Sequence, residues 1–542
     1  MNERVYIKHW LELKPYKEQI TVDNYYLNIC NVVKKAFRNK RHASALQRYL
    51  DIDEIDLLSC FLTSYFEDLI SETNIWNSFV RVHKRLYGKQ LPFYNLDNYY
   101  EEEINSQDIS FLIWYFINTA QNKKFVSPFN DFIVEIATNV FDVFDKEWEF
   151  APENEYLKTF YQIDPKENNY YIARNLIDTV LFGTYLFYPD TYVDLLLDEF
   201  KIVEDAEDER LIEMQLNENR DVTIHNVHTK LLALKGKEWA AEILGQNHLL
   251  SKDLLAISNR IQGFFLYKGQ DKDNVFVEHI ASGKKFNLTK KSFDHSHELK
   301  NLDTIMYLGI VMWQKEWWFS GVYFNLEFNP DIIQQEKNSV ESKMTVDFLD
   351  YNKQETDEVI EQQFAAFKEF NNGSQIAFLP SNKIDEFYQK YIEFYNGTFL
   401  NISKEKIKKA EQKLKNEGYW DTESESDNYS EISETGLAFY NPVGGSEIAL
   451  DVNSAFPLPS NPYFKEEESE LHVKRLLMAD GLSTELAMFC IDNCKDKLSF
   501  FKNEEGKKYL EDINFLLRFW KKDNYHTKIR MTFVGKNENN SH

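Results

Sequence analysis

Three groups of residues in this 542-residue chain have types and spacings that could do chemistry. The first is His279, His295 and His297, with Glu278 and Asp294 beside them. Histidines two apart on a strand share a face, which is a metal-ligand spacing. His295 and His297, however, fall in SFDHSHELKNLD, a polar stretch without strand alternation, so a plain turn competes with a zinc site. The second group is Glu447, Asp451 and Asn453 in GSEIALDVNSAFP. Their even spacing would aim all three the same way from one strand. An acidic face after a glycine-rich turn could hold a divalent cation for hydrolytic or phosphoryl chemistry. No Lys-Ser or Lys-Thr follows the glycine pair, so the turn is not a phosphate loop. An exposed strand face is the competing reading. The third group is aromatic and basic: Trp313, Trp317, Trp318 and Phe319, with Lys284, Lys285, Lys290 and Lys291 nearby in sequence. Small barrels bind peptides or single-stranded nucleic acid through exposed aromatics. Here the competing reading is that the rings fill a core.

Two further groups point to structure more than chemistry. Cys490 and Cys494 are four apart on a predicted helix, which suits either a metal or redox pair or two small buried side chains. Asp97, Glu101, Glu102 and Glu103 lack the alternating ligands and central glycine of a calcium loop. The chain has no nucleophile elbow, HExxH, Walker pattern or dinucleotide fingerprint. A triad assembled from distant positions stays open, because triads are defined by geometry and not by sequence order. No residue pattern names a cofactor.

Composition narrows the partners. Sixty-two basic residues face 88 acidic ones, a net charge of −26. Such a surface repels phosphate backbones and anionic membranes. It serves solubility, or else it mimics nucleic acid or docks on a basic partner. Four cysteines in so long a chain suit a reducing cytoplasm. The start, MNERVYIKHW, has no apolar signal core. The longest apolar runs, FLIWYFI and TVLFGTYLFY, fall short of the roughly 20 residues a membrane helix needs. These features predict a soluble cytoplasmic protein with no membrane contact.

The elements that must position these groups follow from periodicity. Residues 1 to about 20 read as an extended arm broken by Pro15. Apolar spacings of three and four then predict a run of helices. One starts near Asp53, another spans Trp76 to Tyr87, and another runs from Ile109 to Ala120 with Asp108 as its cap. Ser127-Pro128 reads as a helix start. From Ile261 to Phe324 the pattern changes to short β-rich runs punctuated by glycine, the form of a small barrel. Beyond it, QIAFLPS reads as a strand, Ile384 to Tyr395 as a helix, and GLAFYNPVGGSEIAL as a hairpin. KIRMTFVG reads as a terminal strand.

The fold class is therefore α+β multidomain: a large all-helical N-terminal domain, a central small SH3-like β-barrel and a C-terminal mixed α/β region. The expected divisions are 1–255 helical, 256–330 barrel, 331–420 mixed, 421–435 acidic linker or loop (DTESESDNYSEIS) and 436–542 hairpin plus helices.

At GFFLYKG, VFVEHIASGKKFNLTK and LDTIMYLGIVMWQKEWWFSG the chain resembles a small barrel of uncharacterised bacterial proteins. Some of those carry a SEC-C zinc module, whose clustered cysteines are absent here, so no zinc ligands transfer. With YIKHWLELKPY and LAFYNPVGGSEIALDVNSAFPLPSNPYF, the chain as a whole resembles an uncharacterised Bacteroidetes family, a domain of unknown function. The resemblance implies no activity. The leading expectation is an interaction or scaffold protein that uses the barrel as a recognition module for a protein partner. The alternatives are a metal-assisted hydrolase using the C-terminal carboxylates and an acidic nucleic-acid mimic. Sequence gives no oligomeric state.

Overall fold

The computed structural model describes residues 4–37, 40–121, 124–293, 296–297, 299–339, 342–343, 346, 353–416 and 429–527. The fold is α+β: many helices, one closed five-stranded barrel and a three-stranded sheet. By compactness the chain divides into two units. The first holds residues 1–260 and 310–322, and the second holds 261–309 and 323–542.

In the first unit the helix Ile52–Ser71 is buried on nearly every side. Asp51 starts it with a reciprocal cap: its carboxylate accepts from Glu54 N at 2.8 Å, and Glu54 accepts from Asp51 N at 2.6 Å. The helix carries three acids into the interior, each matched there. Asp56 pairs with Lys34 and Glu67 with Lys14. Asp68 caps the next helix, Ile75–Tyr87, by accepting from Trp76 N at 2.7 Å and Ile75 N at 3.2 Å. A buried charge is tolerated only when paired and hydrogen-bonded in this way.

Three local expectations are corrected. The N-terminal arm contains a helix, Ile7–Glu12. Its Trp10 is fully buried, stacks on Tyr26 at 5.9 Å and donates from Nε1 to Asp23 at 2.8 Å. The helix ends before Pro15, so the proline limits it without abolishing it. Asp108 is no cap. The helix starts at Ser106, and Asp108 lies buried within it, accepting from the Tyr65 hydroxyl at 2.7 Å. Ser127 turns back onto Phe129 N instead of opening a helix, and the helix runs Asp131–Glu147 after Asn130. Before the helix Val193–Asp205, the segment Tyr188–Tyr192 forms a wide π-type turn.

The barrel strands are β1 (Ile261–Gln270), β2 (Asn274–His279), β3 (Lys285–Thr289), β4 (Ile305–Trp313) and β5 (Glu316–Leu326). They close in the order β1-β2-β3-β5-β4. Val275 faces Leu288 and Val277 faces Phe286 across β2 and β3, and all four are buried. A bulge between Tyr267 and Gly269 bends β1, as small barrels require to close.

The rest of the second unit pairs β6 (Ile376–Pro380), β7 (Thr435–Asn441) and β8 (Gly445–Leu450) antiparallel, in that order. The expected hairpin is β7 and β8. Phe378, Leu437 and Phe439 of this sheet share a core with Leu476, Leu486, Cys490 and Leu517 of the helices that follow. On the other face, Tyr440 of β7 packs with Phe367 and Tyr391. Cys490 and Cys494 are both buried, and the Cys490 thiol donates to Ala455 O at 3.1 Å. Most of the acidic stretch (residues 421–428) and KIRMTFVG lie outside the described residues. No helix among the described residues is long and apolar enough to cross a membrane.

Candidate functional site

The barrel histidines do not converge. His279 ends β2 and is fully buried, with its ring 5.0 Å from that of Phe265. Its Nδ1 accepts from Ser282 N at 3.3 Å, and the Ser282 hydroxyl lies 3.0 Å away. Its Nε2 would come within 3.0 Å of a Cβ placed on Gly263, so the ring takes space that only a glycine leaves free. His297 is exposed, and His295 and Asp294 lie outside the described residues. Glu278 is turned to Lys268, 3.9 Å away. Among the described residues no group of three or more His, Cys, Asp or Glu side chains gathers to hold a metal ion.

The barrel tryptophans are placed inside. Trp313 and Trp318 are each 1% exposed. Trp313 Nε1 donates to Asn168 O at 3.1 Å, and Trp318 meets Tyr171 edge-on at 5.9 Å and Tyr170 at 6.1 Å. Trp317 and Phe319 are half-buried. Lys285 and Lys291 are exposed and Lys284 half-buried, while Lys290 donates to Asp271 O at 2.5 Å.

Next to Trp318 the first unit assembles a group that the sequence does not signal. Ser320 Oγ lies 2.8 Å from Asp221 Oδ2 and 2.9 Å from the Tyr170 hydroxyl, which is 2.7 Å from His225 Nε2. Arg174 and Arg260 both donate to Asp221, at 2.6 and 2.8 Å. Burial pushes the Asp221 carboxyl up, but Arg174, His225 and Arg260 outweigh it and hold it below the usual range. Burial pulls His225 down to about 4 despite Asp221. These are the residue types of an acyl-transfer triad in the wrong order. The carboxylate receives the serine proton and two guanidinium groups instead of orienting the imidazole, and Ser320 is fully buried. The arrangement is a buried clasp that ties β5 to two helices.

In the second unit, the β7–β8 hairpin and the turn before the helix Thr484–Cys494 border a half-open cavity of about 70 Å3. Asn441, Gly444, Gly445, Glu447, Gly481 and Ser483 line it. Glu447 spends both oxygens on Ser483, accepting from its N–H at 2.8 Å and its hydroxyl at 2.5 Å. The same hydroxyl caps the helix by accepting from Leu486 N. Lys521 is buried and donates to the carbonyls of Leu476, Ala479 and Leu482 at 2.9, 2.7 and 2.9 Å. Burial pulls its ammonium down to about 8, against the opposing pull of Glu447 and Asp480. Asp451 and Asn453 do not share the Glu447 face. β8 ends at Leu450, Asp451 turns left-handed (φ 58°), and the chain leaves the sheet. Asp451 pairs with Arg475 and accepts from Ser433, whereas the Asn453 amide is buried with no hydrogen-bond partner. The cavity has room for an ion or a few waters, but its carboxylate already anchors the hairpin to the helix.

The barrel's own surface offers a second arrangement. The Tyr307 ring stacks on Phe324 at 4.8 Å and meets Phe264 edge-on at 5.2 Å. All three are half-buried. They come from β4, β5 and β1, which are neighbours in the closed sheet. Gln262 donates its amide to the Tyr307 hydroxyl. Phe264 also packs with Leu266, Ile280 and Ile305 in a small apolar cluster that includes Leu326, Ile332 and Ile333. Alternation gave no signal for Tyr307, because it shares its parity on β4 with Ile305, Val311 and Trp313, which are buried.

Residues 4–263 match the model of a family described as "Protein of unknown function (DUF3843)". The match takes in the helical segment and ends inside β1. No curated protein and no solved structure matches the chain.

Proposed function

We propose that this chain is an interaction protein whose barrel recognises an extended segment of a protein partner. One observation carries the reading: three half-buried aromatic rings packed against one another across three neighbouring strands, joined through Phe264 to a small apolar cluster. Aromatic rings give a large rigid contact area at low entropic cost, and small barrels use such rows to grip peptides. The net charge of −26 favours a peptide over nucleic acid. Four buried free thiols fit a cytoplasmic setting.

The hydrolase alternative draws less support, because Glu447 is engaged by Ser483 and Asp451 by Arg475. Nothing in the geometry favours the nucleic-acid mimic.

Selecting a phage-displayed library of random peptides on the full chain tests the proposal. Selected peptides should bind the Tyr307→Ala protein about thirty-fold more weakly, the roughly 2 kcal/mol expected of a central aromatic anchor. Peptides that bind Tyr307→Ala and Phe324→Ala as well as the unaltered protein would remove the aromatic row from the argument.

A further inference from the structure

A second surface, in the first unit, does not rest on the barrel reading. The helix Val193–Asp205 spans 13 residues and fully buries only Leu195. It exposes Leu197 (54%), Phe200 (71%) and Val203 (50%), and Leu211 (44%) follows. Steps of three keep Leu197, Phe200 and Val203 on one flank of the helix. Scattered exposed apolar side chains are ordinary, but an aligned set on one helix marks a contact site.

Its charge says what kind. Between Val193 and Leu211 there are eight acidic residues and two basic ones. Both basic side chains are held by acids of the same stretch, Lys201 by Asp198 at 3.3 Å and Arg210 by Asp208 at 2.7 Å. The apolar flank is thus bordered by carboxylates. A second copy of the chain would bring like charge onto like charge, and an anionic lipid surface or nucleic acid would be repelled. An apolar helix face edged with lysine or arginine complements both features.

We propose that the Val193–Leu211 segment docks a basic amphipathic helix of a partner protein. The probe is a fluorescein-labelled helical peptide of about eighteen residues, with leucine on one face and lysine elsewhere, read by fluorescence anisotropy on the full chain. A peptide of the same composition with its order scrambled is the control. The faced peptide should bind at least about ten-fold tighter than the scrambled one. Phe200→Glu should weaken it about ten-fold or more. That change adds the charge a purely electrostatic contact would welcome, so the loss isolates the apolar contribution. Phe200→Ser should do the same, and thermal melts should show both variants folded, since the ring is mostly solvent-exposed. Glu204→Lys with Asp205→Lys should weaken the faced peptide and flatten its loss with salt. Equal binding of the two peptides would overturn the proposal. So would unchanged binding by the Phe200 variants, or self-association of the chain that Phe200→Glu disperses.

Discussion

Burial pulls the His225 imidazole down to about 4, and Arg174, Arg260 and Lys235 add to that pull while Asp221 opposes it. An unfolded histidine titrates near 6.5. Between those values the unfolded chain binds a proton that the folded chain refuses, so this contribution to stability is complete above about pH 6.5 and drains away as pH falls through 4. The loss is roughly 3 kcal/mol by pH 4. Urea unfolding of the unaltered protein and of His225→Gln at pH 7 and pH 4 should show the unaltered protein losing more; equal losses would assign the effect elsewhere. His225 and Asp221 are four apart on one helix, a spacing that by itself marked neither of them. Ser320 and Tyr170 were further out of reach, because no spacing rule links residues 95 and 55 positions from His225. Trp313 and Trp318 show the same limit: the sequence marks them as aromatic residues in strands, but only the helices packed beside them decide that they are buried.

Elements were read more securely than residues, because periodicity is local, although the caps read at Asp108 and Ser127 were misplaced. The hairpin of β7 and β8 was written in its turn residues, and the helix Ile52–Ser71 in its apolar period. The short helix Ile7–Glu12 was missed because six residues carry too little period, and its stability comes from burying Trp10. The end of β8 was missed because no residue type forbids a strand from continuing through Asp451. The Glu447, Asp451 and Asn453 set failed for that reason. One element depends on a single glycine. Gly321 in β5 sits at φ +84°, and a Cβ there would run into the side chains of Arg260 and Glu218 and lie 3.0 Å from Asp221. Gly321→Ala therefore meets both left-handed strain and an ion-pair cluster, and should cost about 2–4 kcal/mol. A thermal melt checks it, and a variant within about 0.5 kcal/mol of the unaltered protein would show that β5 relaxes freely.

At the scale of the whole chain, the α+β class and the central barrel followed from the switch between helical and strand periods. What the sequence could not show is that the helical unit is not one continuous segment. Residues 310–322 belong to it, bringing Trp313, Trp318 and Ser320. A fragment of residues 1–260 therefore lacks part of its own core. It should retain helical far-ultraviolet dichroism yet melt without a sharp transition and bind a hydrophobic dye, since losing buried tryptophans costs about 3–5 kcal/mol each. A fragment of residues 1–328 restores those side chains and all five strands. A cooperative melt from the shorter fragment equal to that of the full chain would refute this dependence.

The same nesting bears on how the protein is made. On the ribosome the helical segment is complete while Ser320 and Trp318 are still unsynthesised, and residues 261–309 must be translated in between. At about 5–20 residues per second that delay lasts seconds. Throughout it Asp221 and Tyr170 wait for their last partner. Until β5 arrives the first unit lacks the residues that complete its core.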